Sequence, residues 1–284
     1  MSALRAARRL LAVRQGLARG GIELRQTFTY WPDIVQVLFI PVVGILVLFL
    51  MRGHHVPGTA FSLGSLTLPG FIGMSFAMGG MLGVTGLISG DREDGTLLRA
   101  KSTPDGMTAY VIGKIIYSSA GTLVGLVLTI ILGLAAFPGV TVHWVTLVWV
   151  TLLGLIATIP LGIATGSAIP NPRYIPLVLF PIGGLTAISG IFYPITHLAG
   201  WLQAVAQVFP IYWLGLGFRA ALLPPALSSV ELNGQWRLPW VLLTLAVWSA
   251  LGLGLAPPVL RRMARRESGS RVAARRERAM LRAT

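Results

Sequence analysis

Residues Trp201–Leu223 read WLQAVAQVFPIYWLGLGFRAALL, and the reading of this stretch decides the fold. A membrane helix needs about 20 predominantly apolar residues, and the stretch is long enough. It nevertheless contains Pro210 and Arg219, and it is crowded with aromatic side chains at Trp201, Phe209, Tyr212, Trp213 and Phe218. Proline removes a backbone donor and kinks a helix. An arginine at the centre of a spanning helix costs about 2.5–3.5 kcal/mol. Six other stretches are cleaner candidates: Ile34–Met51, Leu66–Ser89, Val111–Phe137, Trp144–Ala168, Ile175–Tyr193 and Pro239–Leu260.

Charge arbitrates between six and seven spans, because cytoplasmic loops carry an excess of Lys and Arg. With six spans, 20 of the 23 Lys and Arg residues fall on one side, and only Arg52, Arg219 and Arg237 fall on the other. A seventh span would export the nine arginines that follow position 260. Trp201–Leu223 is therefore expected to be a broken, re-entrant hairpin in the outer leaflet, where protein shields its irregular backbone. The expected fold is an all-α membrane protein of six transmembrane helices, multi-pass in the cell membrane, with both termini cytoplasmic. Its parts are an amphipathic interfacial helix over residues 1–33, a transmembrane domain over 34–260 and a basic tail over 261–284.

Composition agrees with lipid as the solvent. Of 284 residues, 54% are hydrophobic and 11% charged, against about 25% charged in soluble domains. There is no cysteine, which excludes disulfides and thiol chemistry. A net charge of +14 would suggest nucleic acid in a soluble protein. Here topology and contact with anionic lipid account for the tail Arg261–Arg282, so membrane lipids, not nucleic acid, are the expected partner.

In the N-terminal stretch Leu4–Phe28, Leu4, Leu11, Leu17 and Ala18 can share one helical face with arginines on the other, as in an interfacial anchor. A solvated basic arm is the competing reading. The first span follows a long polar lead with no small-residue cleavage site, unlike a signal peptide. The pairs Gly79/Gly83, Gly86/Gly90, Gly121/Gly125 and Gly162/Gly166 point to tight helix packing. Prolines 41, 69, 160, 176 and 181 can kink their helices.

No Asp or Glu falls inside a proposed span, and Lys114, near a helix end, is expected to snorkel to the interface. Ion-driven carriers usually keep buried ionisable relays, so ion coupling is not expected. His54, His55, His143 and His197 are scattered over three loops without carboxylates nearby, so no metal site is assigned. The nearest approach to a phosphate-binding loop, Gly113-Lys114-Ile115, lacks the upstream glycine and the hydroxyl. There is no nucleophile elbow. No catalytic or cofactor-binding residue is assigned, and the chain reads as a non-catalytic subunit.

The loop between the second and third spans carries Asp91-Arg92-Glu93-Asp94-Gly95-Thr96, then Arg99, Lys101 and Ser102-Thr103-Pro104. Its mixed charge suits a docking element for a soluble partner, and an ordinary solvated loop is the alternative. With Tyr110 and Gly113-Lys114, this segment resembles the first cytoplasmic loop of ABC-2-type exporter permeases, which include daunorubicin-resistance-like drug exporters. A second region is similar too: Ser189-Gly190-Ile191-Phe192-Tyr193-Pro194, Trp201-Leu202, Phe209-Pro210 and Arg219. Ala199 departs from the proline that many relatives carry before the tryptophan turn. The resemblance implies a permease that works with a separate ABC ATPase and a second permease, identical or different. ATP-driven efflux of a hydrophobic drug, lipid or glycan-type substrate would be its function. It further implies that Asp91, Arg92, Glu93, Asp94, Gly95, Thr96, Arg99 and Pro104 couple to the ATPase. Tyr193, Pro194, Trp201, Pro210 and Arg219 would belong to the re-entrant hairpin. An ATP-independent carrier and a membrane-embedded lipid-modifying enzyme are the alternatives, the latter lacking a convergent cluster of acids or histidines.

Because the chain has no cysteine, single cysteines at Ser2, Ser229 and Thr284 report topology cleanly. An impermeant maleimide applied to intact cells is expected to label position 229 and neither terminus. Labelling of a terminus, or protection of position 229, rules out the six-span arrangement.

Overall fold

A computed structural model describes residues 2–53, 62–193 and 195–266. The His54–His55 doublet, Pro194 and most of the basic tail lie outside the described residues. The described chain is all-helical apart from loops. Helix α1 is Ser2–Thr27 and α2 is Trp31–Leu50. The long α3, Leu63–Glu93, contains a π-helical segment at Ala77–Gly83. A short α4, Thr96–Lys101, leads into α5, Gly106–Ala136. Then follow α6 Trp144–Ala168, α7 Pro176–Ile188, α8 Gly200–Val208, α9 Pro210–Leu222 and α10 Leu238–Arg266.

Five helices are long and apolar enough to cross a bilayer: α2, α3, α5, α6 and α10. The expected fifth span, Ile175–Tyr193, is shorter than its sequence suggested. Its helix α7, with the turn that leads into it, runs over Pro172–Ile188, 17 residues, about 26 Å at 1.5 Å per residue, against a hydrocarbon core of about 30 Å. The chain leaves the helix through Gly190, whose φ of +68° is a left-handed conformation open to glycine at little steric cost. The carbonyl of Gly190 accepts from Arg219 Nη1 at 2.9 Å, and Tyr193 Oη donates to the Ala187 carbonyl at 2.6 Å. Backbone freed at membrane depth is thus satisfied by protein, as lipid requires.

Trp201–Leu223 is a broken pair: α8 and α9 meet at an angle of 87°. Phe209 adopts extended backbone, as the residue before a proline tends to, and Pro210 opens α9. Ala199 precedes α8 with φ −59°, so a proline would fit there unstrained. Far from being peripheral, α9 is the centre of the bundle, and all 13 of its residues are buried. Gly215 meets Gly73 of α3 backbone to backbone, and Phe218 packs its ring 5.0 Å from that of Phe76. Gly217 lies against Val150 of α6 and Val241 of α10. Arg219 and Glu231 are both buried, with Nε and Oε1 2.6 Å apart, close enough for an ion pair though not aligned as a hydrogen bond.

The glycine pairs divide. Gly162 and Gly166 of α6 do permit close approach: a Cβ at Gly162 would lie 2.3 Å from the Gly80 carbonyl oxygen, and one at Gly166 would meet Ile88. Thr85 and Thr165 hydrogen-bond across this contact at 2.6 Å. By contrast, a Cβ at Gly86, Gly90 or Gly121 would meet nothing within 4 Å. Those residues, with Gly79, Gly83 and Gly125, line a cavity of about 740 Å³ between α2, α3 and α5. Their expected role in packing is therefore corrected to one in opening space.

Helix α1 packs against the bundle. It lies along α5 on a stripe of small residues, Ala12, Gly16 and Gly20, spaced at i, i+4. Gly16 and Gly20 pack against Ile112 and Ile116. Leu11 and Leu17 are 57% and 55% exposed.

Gly162→Ala must push α6 away from rigid α3 backbone, and overpacking of this kind costs about 1–3 kcal/mol. Gly121→Ala meets only open space, and alanine favours a helix over glycine by about 0.5–1 kcal/mol. Thermal unfolding in detergent should show a clear fall in Tm for the first and no fall for the second.

Candidate coupling site

The segment Asp91–Pro104 is built as a bracket between α3 and α5. Gly95, at φ +82°, ends α3 and turns the chain into α4. Asp94 Oδ1 accepts from the Thr96 backbone N–H at 2.8 Å, and Arg99 Nη2 donates to Thr96 Oγ1 at 3.1 Å. At the far end Thr103 donates to the Ala100 carbonyl at 3.0 Å, and Asp105 takes φ +55° before α5 begins. Leu97 and Ala100 are buried and pin α4 to the bundle. Glu93, Asp94, Arg99 and Pro104 are exposed. Because Gly95 breaks the helix, Glu93 and Arg99 do not share one continuous helical face.

Asp91 and Arg92 point elsewhere. Arg92 Nη1 donates to the carbonyl of Ile169, just beyond α6. Asp91 Oδ2 lies 2.9 Å from Lys114 Nζ and accepts from Tyr110 Oη at 2.8 Å. The same ammonium lies 3.0 Å from Glu23 Oε2 on α1, and Glu23 Oε1 lies 3.1 Å from Arg19 Nε. The Arg19 guanidinium sits 5.1 Å from the centre of the Tyr110 ring, within reach of a cation–π contact. Lys114 therefore does not snorkel: it is 6% exposed and shared by two carboxylates. Charges of alternating sign, Asp91, Lys114, Glu23 and Arg19, join α3, α5 and α1 at the end of the bundle that carries α4.

The family model for ABC-2 family transporter proteins matches residues 53–256. The chain belongs to the ABC-2 transporter family. The match spans α3 to α10 and so contains both the bracket and the broken hairpin. No curated protein is found to match the chain. As a member of the family, this ABC-2 protein is a membrane permease component of an ABC transporter, in a family that is generally non-catalytic and works with an ABC ATPase. Sequence reasoning placed the outward residues of the bracket but missed Glu23 and Glu231. An acid on the N-terminal helix and a buried lysine beyond the next two spans give no local signal of pairing; only the odd position of Lys114 inside an apolar stretch hinted at it.

Lys114→Met leaves Asp91 and Glu23 without their shared cation. Breaking a buried pair by removing one partner costs about 3–5 kcal/mol, whereas replacing all partners by uncharged residues is often neutral. The single variant is expected to lose several kcal/mol of stability and to expose α1 to protease. Combining Lys114→Met with Asp91→Asn and Glu23→Gln should recover most of the loss, as read by unfolding in detergent.

Proposed function

We propose that this ABC-2 protein is the permease subunit of an exporter that moves a hydrophobic drug, lipid or glycan-type substrate out of the cytoplasm. ATP is hydrolysed by a separate subunit, and a second permease completes the path. Both termini and the bracket Asp91–Pro104 face the cytoplasm. The observation that carries the reading is the construction of α4: one face is locked into the bundle by Leu97 and Ala100, and the other presents exposed charge of both signs. A partner that grips Glu93, Asp94 and Arg99 moves the ends of α3 and α5 together, since Asp91 and Arg92 tie that bracket to Lys114 and to the end of α6.

The cavity of about 740 Å³ between α2, α3 and α5 is the candidate substrate space; binding cavities commonly fall within about 300–1,000 Å³. Glycines and apolar side chains suit an apolar cargo, and Asp91 and Asp94 at one end place the cavity beside the bracket. Leu177 and Phe180 of α7 face outward, 67% and 75% exposed, and offer a surface for the second permease. The hairpin with Tyr193, Trp201, Pro210 and Arg219 closes the outer side of the path.

One observation favours a second reading, an ion-coupled carrier: Lys114, Asp91 and Glu23 form an ionisable cluster at the end of the candidate spans. Against it, each charge already has an opposite partner. Inverted vesicles separate the two readings. Uptake should require ATP and persist with an uncoupler at constant ATP; loss on uncoupling rejects ATP-driven export.

Glu93→Lys and Arg99→Glu should each insert normally yet lower ATPase association and export. Charge pairs at an interface rim set encounter and register, and a buried pair costs about 2–5 kcal/mol when one partner is removed. A solvated loop would tolerate either change within about 0.5 kcal/mol. Parent-like assembly and export in both variants, measured by co-purification and vesicle uptake, overturns the coupling role.

A further inference from the structure

A second cavity, of about 440 Å³, lies apart from the candidate substrate space. Its walls are α5, α6 and α10, and the two cavities share no lining residue. Most of its wall is aliphatic: Val111 and Ile115 on α5, Ile163 on α6, Leu253 and Leu260 on α10. Pro160 and Pro257 both line it, and each interrupts the hydrogen bonding of its helix. One end carries Lys101, Arg261 and Arg265. Arg261 and Arg265 stand one helical turn apart and are exposed, and neither is paired with a carboxylate among the described residues.

An apolar slot closed by cations at one end matches one occupant in shape and charge. We infer that this groove holds an anionic phospholipid, with an acyl chain along the aliphatic wall and its phosphate between Arg261, Arg265 and Lys101. Clusters of Lys and Arg beside a spanning helix recruit anionic headgroups, and basic pockets between such helices hold them. The lipid is a resident of the fold, bound apart from any cargo. By wedging between α5 and α10 beside α4, it sets the spacing of the helices that the bracket must move. The site needs neither the ATPase nor a second permease, so it is testable on the purified chain.

A photoreactive amino acid at Thr108, an exposed residue of the groove, reports the occupant directly. The protein is reconstituted in nanodiscs of equal phosphatidylglycerol and phosphatidylcholine, irradiated and weighed by mass spectrometry. Phosphatidylglycerol adducts are expected to exceed phosphatidylcholine adducts at least five-fold. The same probe at Leu242, towards the opposite end of α10, should show no preference. Arg261→Gln with Arg265→Gln should abolish the preference, and Arg261→Lys with Arg265→Lys should retain it, which separates lost charge from lost fold. Soluble glycerophosphoglycerol should not compete. Equal labelling of the two lipids in the parent, a preference that survives the double glutamine change, displacement by the soluble headgroup, or adducts to a second protein copy would each overturn the assignment.

Discussion

The ammonium of Lys114 is the only cation within reach of both Asp91 on α3 and Glu23 on α1 among the ion pairs of the described residues. Three pieces of chain converge on it: the helix that precedes the bundle, the end of α3 and the first turns of α5. A buried charge is tolerable only when its hydrogen-bonding capacity is met and its field neutralised. The ion pairs therefore fix α1 on α5 and the end of α3 on α5 at once. The bracket inherits its stiffness from this arrangement. Leu97 and Ala100 hold α4 down, and Gly95 and Asp105 set the turns at its two ends.

Away from that corner the bundle has two contrasting halves that share α3. On one side α3 meets α6 and α9 at distances only glycine allows, with Gly80 against Thr158 and Gly73 against Gly215. In lipid there is little hydrophobic gain from bringing apolar helices together, so close backbone approach and hydrogen bonds across it carry the association. On the other side the same helix shows a row of glycines to open space. Seven of its residues form the π segment, which carries Gly80 of the tight contact as well as Gly79 and Gly83 of the cavity wall, and π turns often mark functional positions in helices. One helix thus serves as both the rigid wall of the core and the smooth wall of the cavity.

Much of this was legible in the sequence, and the misses have physical causes. Long apolar runs announce spans because lipid demands them, which is why α2, α3, α5, α6 and α10 were readable. Pro210 and Arg219 together exposed the broken hairpin. The length of α7 was not legible, because apolar residues continue through Ser189–Tyr193 while Gly190 turns the backbone. Glycine spacing identifies where helices could approach, not which neighbour stands there; Gly162 and Gly121 look alike in sequence and differ in structure. The seat of α1 on α5 was not legible, because Ala12, Gly16 and Gly20 make a stripe of small residues whose partners, Ile112 and Ile116, lie far along the chain. The partners of Lys114 lie 91 and 23 positions away, and pairing across such distances leaves no periodic trace.

The burial of Arg219 bears on how the chain is made. Emerging first, α9 carries a guanidinium and a proline into a setting where neither is favoured. The carboxylate that neutralises it, on Glu231, and one of the walls that cover it, α10, are synthesised later. Until then α9 has nowhere stable to go within lipid. The core element of the finished bundle is thus among the last to settle, and Gly73 of α3 has no partner until Gly215 of α9 closes over it.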